Sequence, residues 1–139
     1  MDLTIIFFFA AIIIVGGLLF AVMSMNKKGA RRLDVDKYRT KWLKIEHQLK
    51  RDETSSYSMV VIHADKLLDQ ALIERGLKGN TMAERMKQCA QLFSDRNGVW
   101  QAHKLRNRIA HEDDVIVTYD DARRALATMK RALKDVGAI

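Results

Sequence analysis

The feature that most constrains this chain lies at its start. Residues 3–23 carry no charge and only one polar side chain, Thr4. As a helix rising ~1.5 Å per residue, this run spans roughly 31 Å, the thickness of a bilayer's hydrocarbon core. A cleaved signal peptide calls for a basic n-region, a shorter apolar stretch and a small-x-small cleavage site. Here the first residues offer only Asp2, and Ala21-Val22-Met23 is not such a site. The run therefore reads as an uncleaved transmembrane anchor over residues 1–25. A basic juxtamembrane hinge follows at 26–35, then a helical domain at 36–139.

The flanks give an orientation. Lys27, Lys28, Arg31 and Arg32 follow the apolar run, and no Lys or Arg precedes it. The positive-inside rule puts the N-terminus outside and the C-terminal domain in the cytoplasm of a single-pass protein of the cell membrane. Cys89, the single cysteine, suits a reducing compartment because it has no partner for an internal disulfide. Asp2 is the only charged side chain before Lys27. The rest of the chain thus carries all 24 basic residues against 16 of the 17 acidic ones, a net +8. That balance suits anionic partners, either RNA or membrane lipid headgroups, and equally a plainly solvated surface.

After the anchor, apolar residues recur at helical spacing and proline is absent. Val35, Tyr38, Trp42, Ile45 and Leu49 step by three and four, predicting a helix over 36–50 suited to bundle packing or a short coiled coil. A second helix is expected over 56–75, with Met59, Val60, His63, Ala64, Leu67, Leu68, Ala71 and Leu72 inward and Gly76 as its stop. His63 on that stripe reads as a hydrogen-bonded core histidine. Thr81 and Glu84 form a capping box for a third helix, whose face is Met82, Met86, Cys89, Ala90 and Phe93. Asp95-Arg96-Asn97-Gly98 reads as a turn, followed by a fourth helix over 99–111. Thr118 with Asp121 opens a fifth, striped with Ala122, Ala125, Leu126, Met129, Ala132, Leu133 and Val136. The expected fold is all-α: a single transmembrane helix and a compact antiparallel bundle of about five helices.

Several chemistries find no motif. There is no GxxxxGK[ST] loop, no GxGxxG, no Cys/His zinc cluster and no GxSxG elbow. No metal or cofactor is expected. The fourth helix stands out instead. At 100° per residue it aligns His103, Asn107 and His111, with Arg106 beside them. A titratable imidazole, a permanent cation and an amide suit phosphodiester chemistry, since histidine moves protons near neutral pH and arginine holds phosphoryl charge. The same residues also suit a plain helix stop, because cations favour a helix C-terminus.

Leu105-Arg106-Asn107-Arg108-Ile109-Ala110-His111 resembles the R-x(4–6)-H motif of HEPN domains. Ala64-Asp65-Lys66-Leu67-Leu68 is similar to the second-helix pattern of several of them. The resemblance covers residues 38–136. It implies a helical bundle that usually dimerises, with many relatives acting as metal-independent endoribonucleases in RNA processing or as toxins. It further implies catalytic roles for Arg106, Asn107 and His111 in a cleft shared by two protomers: His111 moves protons, Arg106 stabilises the phosphate and Asn107 orients them. His103, Lys104 and Arg108 are expected to contact the RNA. Two functions follow as expectations. One is a membrane-tethered, dimeric HEPN-like endoribonuclease, with an antitoxin as its protein partner if it is a toxin. The other is a non-catalytic helical module that recruits a protein partner to the inner membrane face.

Overall fold

The computed structural model describes residues 2–26 and 30–139, with the side chains of 23–26 excepted. Lys27 and Lys28, which carry much of the orientation argument, lie outside the described residues, as does Gly29 in the expected hinge. The chain divides into two compact units, residues 1–31 and 32–139. The first is one helix, α1 (Leu3–Asn26). Its stretch Leu3–Val22 is long and apolar enough to cross a membrane. Its large side chains, Phe7 to Phe9 and Ile12 to Ile14 among them, are all exposed within the unit.

The second unit contains five α-helices and, among the described residues, no strand. They are α2 (Val35–Gln48), α3 (Thr54–Glu74), α4 (Met82–Gln88), α5 (Arg96–His111) and α6 (Tyr119–Asp135), with a 3₁₀ turn at Ala90–Leu92. α3 is the central helix and packs against the other four. It can do so because its apolar stripe is wide: Val60, Val61, Ala64, Leu67, Leu68, Ala71 and Leu72 are all buried. α2 runs antiparallel to α3. Lys37 pairs with Glu74, Lys41 with Gln70 and Gln48 with His63, so positions rise on one helix as they fall on the other. Tyr38, Trp42 and Ile45 of α2 face inward. That buries the heptad-like stripe inside the domain rather than leaving it for a coiled-coil partner.

Helix ends follow local chemistry. Arg75 caps α3, and Gly76 takes φ +96°, a left-handed conformation that turns the chain so Leu77 N donates to Leu72 O. Thr118 and Asp121 form a complete capping box on α6. At α4 the expected box is only half made. Thr81 accepts from Glu84 N, but the Glu84 carboxylate reaches back to Asn80 N at 2.7 Å. The segment 95–98 is not a free turn. Asp95 is the N-cap of α5, accepting from Gly98 N at 3.0 Å, so the helix starts three residues earlier than expected. Glycine suits position 98 because a Cβ there would collide with the Asp95 carboxylate that caps the helix. Met59, expected inward, is 47% exposed. Cys89 is buried, and burial pushes its thiol up from the ordinary value.

The histidine expectation is also corrected. His63 is half-buried at the edge of α3, with Nδ1 2.9 Å from Gln48 Oε1. The core histidine is His103, 7% exposed.

Candidate functional site

A cleft of about 550 Å³ lies among α3, α4, α5 and the loop joining α3 to α4. α5 supplies His103, Arg106, Asn107 and His111 to its lining, and α3 supplies Asp65, Lys66 and Asp69. The four-residue step puts His103, Asn107 and His111 one above another on α5, and puts Asp65 one turn from Asp69 on α3. A carboxylate inside the most apolar helix of the bundle is costly unless paired. Both are paired.

Asp65 is 3% exposed. Its Oδ1 lies 2.8 Å from His103 Nδ1, and its Oδ2 lies 3.5 Å from Arg106 Nε, an ion-pair contact too long for a good hydrogen bond. Asn107 bridges the two cleft-lining neighbours on its own helix. Its Nδ2 is 3.2 Å from His103 Nε2, and its Oδ1 accepts from Arg106 Nη1 at 2.9 Å. Trp100 meets the His103 ring edge to face at 6.3 Å.

Asp69 performs a parallel task for α4. It takes Arg85 in a forked pair, Nε to Oδ1 at 2.7 Å and Nη2 to Oδ2 at 2.9 Å, while Arg85 Nη1 donates to Gly79 O at 2.6 Å. The Asp69 carboxylate beside it raises the Arg85 guanidinium further above its ordinary value. This clamp fixes the short helix α4 as the far wall of the cleft.

The six residues singled out from sequence divide. Arg106, Asn107 and His111 line the cleft together, with Arg106 35% exposed in its side chain and His111 exposed at the last residue of α5. His103 lines it from behind, with both ring nitrogens engaged by protein. Lys104 and Arg108 are exposed and do not line the cleft, and Arg108 Nε pairs with Glu112 at 3.3 Å instead. The cations that line it from other helices are Lys66 on α3 and Arg85 on α4, the latter already paired with Asp69. Sequence reasoning passed over Asp65, Asp69 and Arg85 as site residues. The available signal was an Asp-x₃-Asp pair within the apolar run of the second soluble helix. Among the described residues no group of three His, Cys, Asp or Glu side chains gathers as a metal site.

Comparison with protein-family models, curated proteins and solved structures finds no match to this chain.

Proposed function

We propose that this protein is a membrane-tethered, HEPN-like, metal-independent endoribonuclease that acts as a homodimer at the inner face of the cell membrane. One observation carries the reading: Arg106, Asn107 and His111 line a single cleft, with the arginine and the amide already bonded to each other. In the reaction, a His111 imidazole takes the proton of a ribose 2′-hydroxyl. The 2′-oxygen bonds to phosphorus as the bond to the 5′-oxygen breaks, and the leaving 5′-oxygen takes a proton from the His111 of the second protomer. Arg106 stabilises the charge that gathers on the phosphoryl oxygens. Lys66 and the net +8 beyond the anchor draw the RNA backbone toward the cleft. The apolar α1 supplies the tether, and the basic residues after it favour the cytoplasmic side.

Product chemistry tests the proposal. The full chain in detergent, incubated with RNA in EDTA, is expected to leave 2′,3′-cyclic phosphate and 5′-hydroxyl ends. DNA of the same sequence, lacking the 2′-hydroxyl, is expected to stay intact. Ends bearing 3′-hydroxyl and 5′-phosphate, or equal cleavage of DNA, would overturn it.

A further inference from the structure

The polar groups behind the cleft form a ring: three hydrogen-bonded contacts, each fixing the next, closed by one longer ion-pair contact. An ionised carboxylate only accepts, so the 2.8 Å contact of Asp65 Oδ1 with His103 Nδ1 places the imidazole proton on Nδ1. His103 Nε2 is then the acceptor, and it takes the Asn107 Nδ2 hydrogen at 3.2 Å. That leaves Asn107 Oδ1 to accept from Arg106 Nη1 at 2.9 Å. Arg106 Nε faces Asp65 Oδ2 at 3.5 Å, an ion-pair contact that leaves Nε without a hydrogen-bond partner. An amide reversed end for end would set its oxygen against His103 Nε2 and its hydrogens against the guanidinium, two repulsive contacts in place of two bonds. The orientation of Asn107 is therefore dictated from Asp65, through His103.

We infer that Asp65 and His103 are positioning residues: a buried carboxylate–imidazole pair that sets the Asn107 amide and holds the Arg106 guanidinium at the cleft. Neither reaches a ligand in the cleft by exposure, at 3% and 7%. They act through Asn107 and Arg106, which are both part-exposed. Nη1 of Arg106 is held by Asn107, and its Nε is buried beside Asp65 without a hydrogen-bond partner, so Nη2 is the nitrogen left to meet a phosphate. The bearing of the ring on catalysis rests on the ribonuclease reading, whereas its geometry does not.

The test uses the full chain in detergent micelles, labelled with ¹⁵N at His, Arg and Asn side chains. Wild type is expected to show a proton on His103 Nδ1 and none on Nε2. In His103→Asn, the shorter amide can still donate to Asp65, but nothing remains at the Nε2 position for Asn107. The Asn107 amide and Arg106 Nε–H signals are then expected to move. In Asp65→Asn, which keeps an acceptor for His103, the His103 tautomer is expected to persist while the Arg106 Nε–H signal moves. Both variants are expected to lose about 10- to 100-fold in kcat on RNA with little change in KM, the mark of a misplaced group rather than a lost binding contact. A wild-type proton on Nε2 overturns the inference. So do Asn107 and Arg106 signals that stay put in His103→Asn. If wild type cleaves no RNA while the signals behave as stated, the ribonuclease reading fails and the ring stands.

Discussion

Replacing Asp69 with alanine isolates the clamp that holds the far wall of the cleft. Arg85 and Asp69 are 10% and 25% exposed in their side chains and are joined by two short bonds. Removing one partner of a buried pair leaves the other uncompensated, which costs about 3–5 kcal/mol. Asp69 sits at the water-accessible edge of the pair, so solvent entering the vacated space sets the expectation at the lower end, about 3 kcal/mol. For a domain near 100 residues that corresponds to a fall in Tm of roughly 12–15 °C. Arg85→Met is expected to cost less, since the Asp69 left behind can be hydrated and the methionine keeps much of the stem's packing. The double variant is expected to be more stable than Asp69→Ala alone, because it carries no stranded charge. The assay is thermal unfolding of the full chain in detergent, followed by the fluorescence of Trp42 and Trp100. A fall of under about 4 °C for Asp69→Ala, or losses that simply add in the double variant, would refute the clamp argument.

Two further outcomes follow from groups away from the cleft. Asp121 is held below its ordinary value of 3.8, first by the Thr118 hydroxyl and then by the Thr118 backbone N–H. A depressed carboxyl contributes stability above its unfolded value and loses it as pH falls through the folded one, so the α6 cap is expected to fail only below about pH 4. Asp121→Asn is expected to remove that part of the acid dependence while lowering stability at pH 7, and an unchanged acid limb in denaturant titrations would contradict it. Cys89 is 1% exposed and its thiol is pushed up by burial. Thiol reagents are therefore expected to label it only as fast as the domain opens, and prompt stoichiometric labelling of the native chain would show the burial to be wrong.

Much of the architecture was legible in periodicity and caps. The apolar run, the α2 stripe and the Thr118–Asp121 box each state their structure within a few residues of sequence. The failures share one cause: a helical wheel ranks faces but does not say where a face ends. Met59 and His63 fall on the α3 stripe, yet they lie toward its margin, where α2 leaves one exposed and the other half-buried. His103 lies on a helix with more charge around it, and it is buried because Asp65 meets it from α3 across 38 residues of sequence. The start of α5 was missed because Asn97-Gly98 looks like a turn, whereas the Asp95 carboxylate draws Gly98 N into the first turn of the helix. On α5, spacing brought Arg106, Asn107 and His111 together. It carried no information about α3 and α4, and so none about Asp65 or the Asp69–Arg85 clamp.

The proposed activity is cleavage of RNA, without a metal, at the Arg106–Asn107–His111 face. The most direct measurement is the initial rate of RNA cleavage in EDTA by the full chain in lipid vesicles, wild type against His111→Ala and Arg106→Ala. Wild type is expected to cleave RNA, and each variant to lose at least about 100-fold. Cleavage that persists undiminished in His111→Ala, or none by wild type, would contradict it.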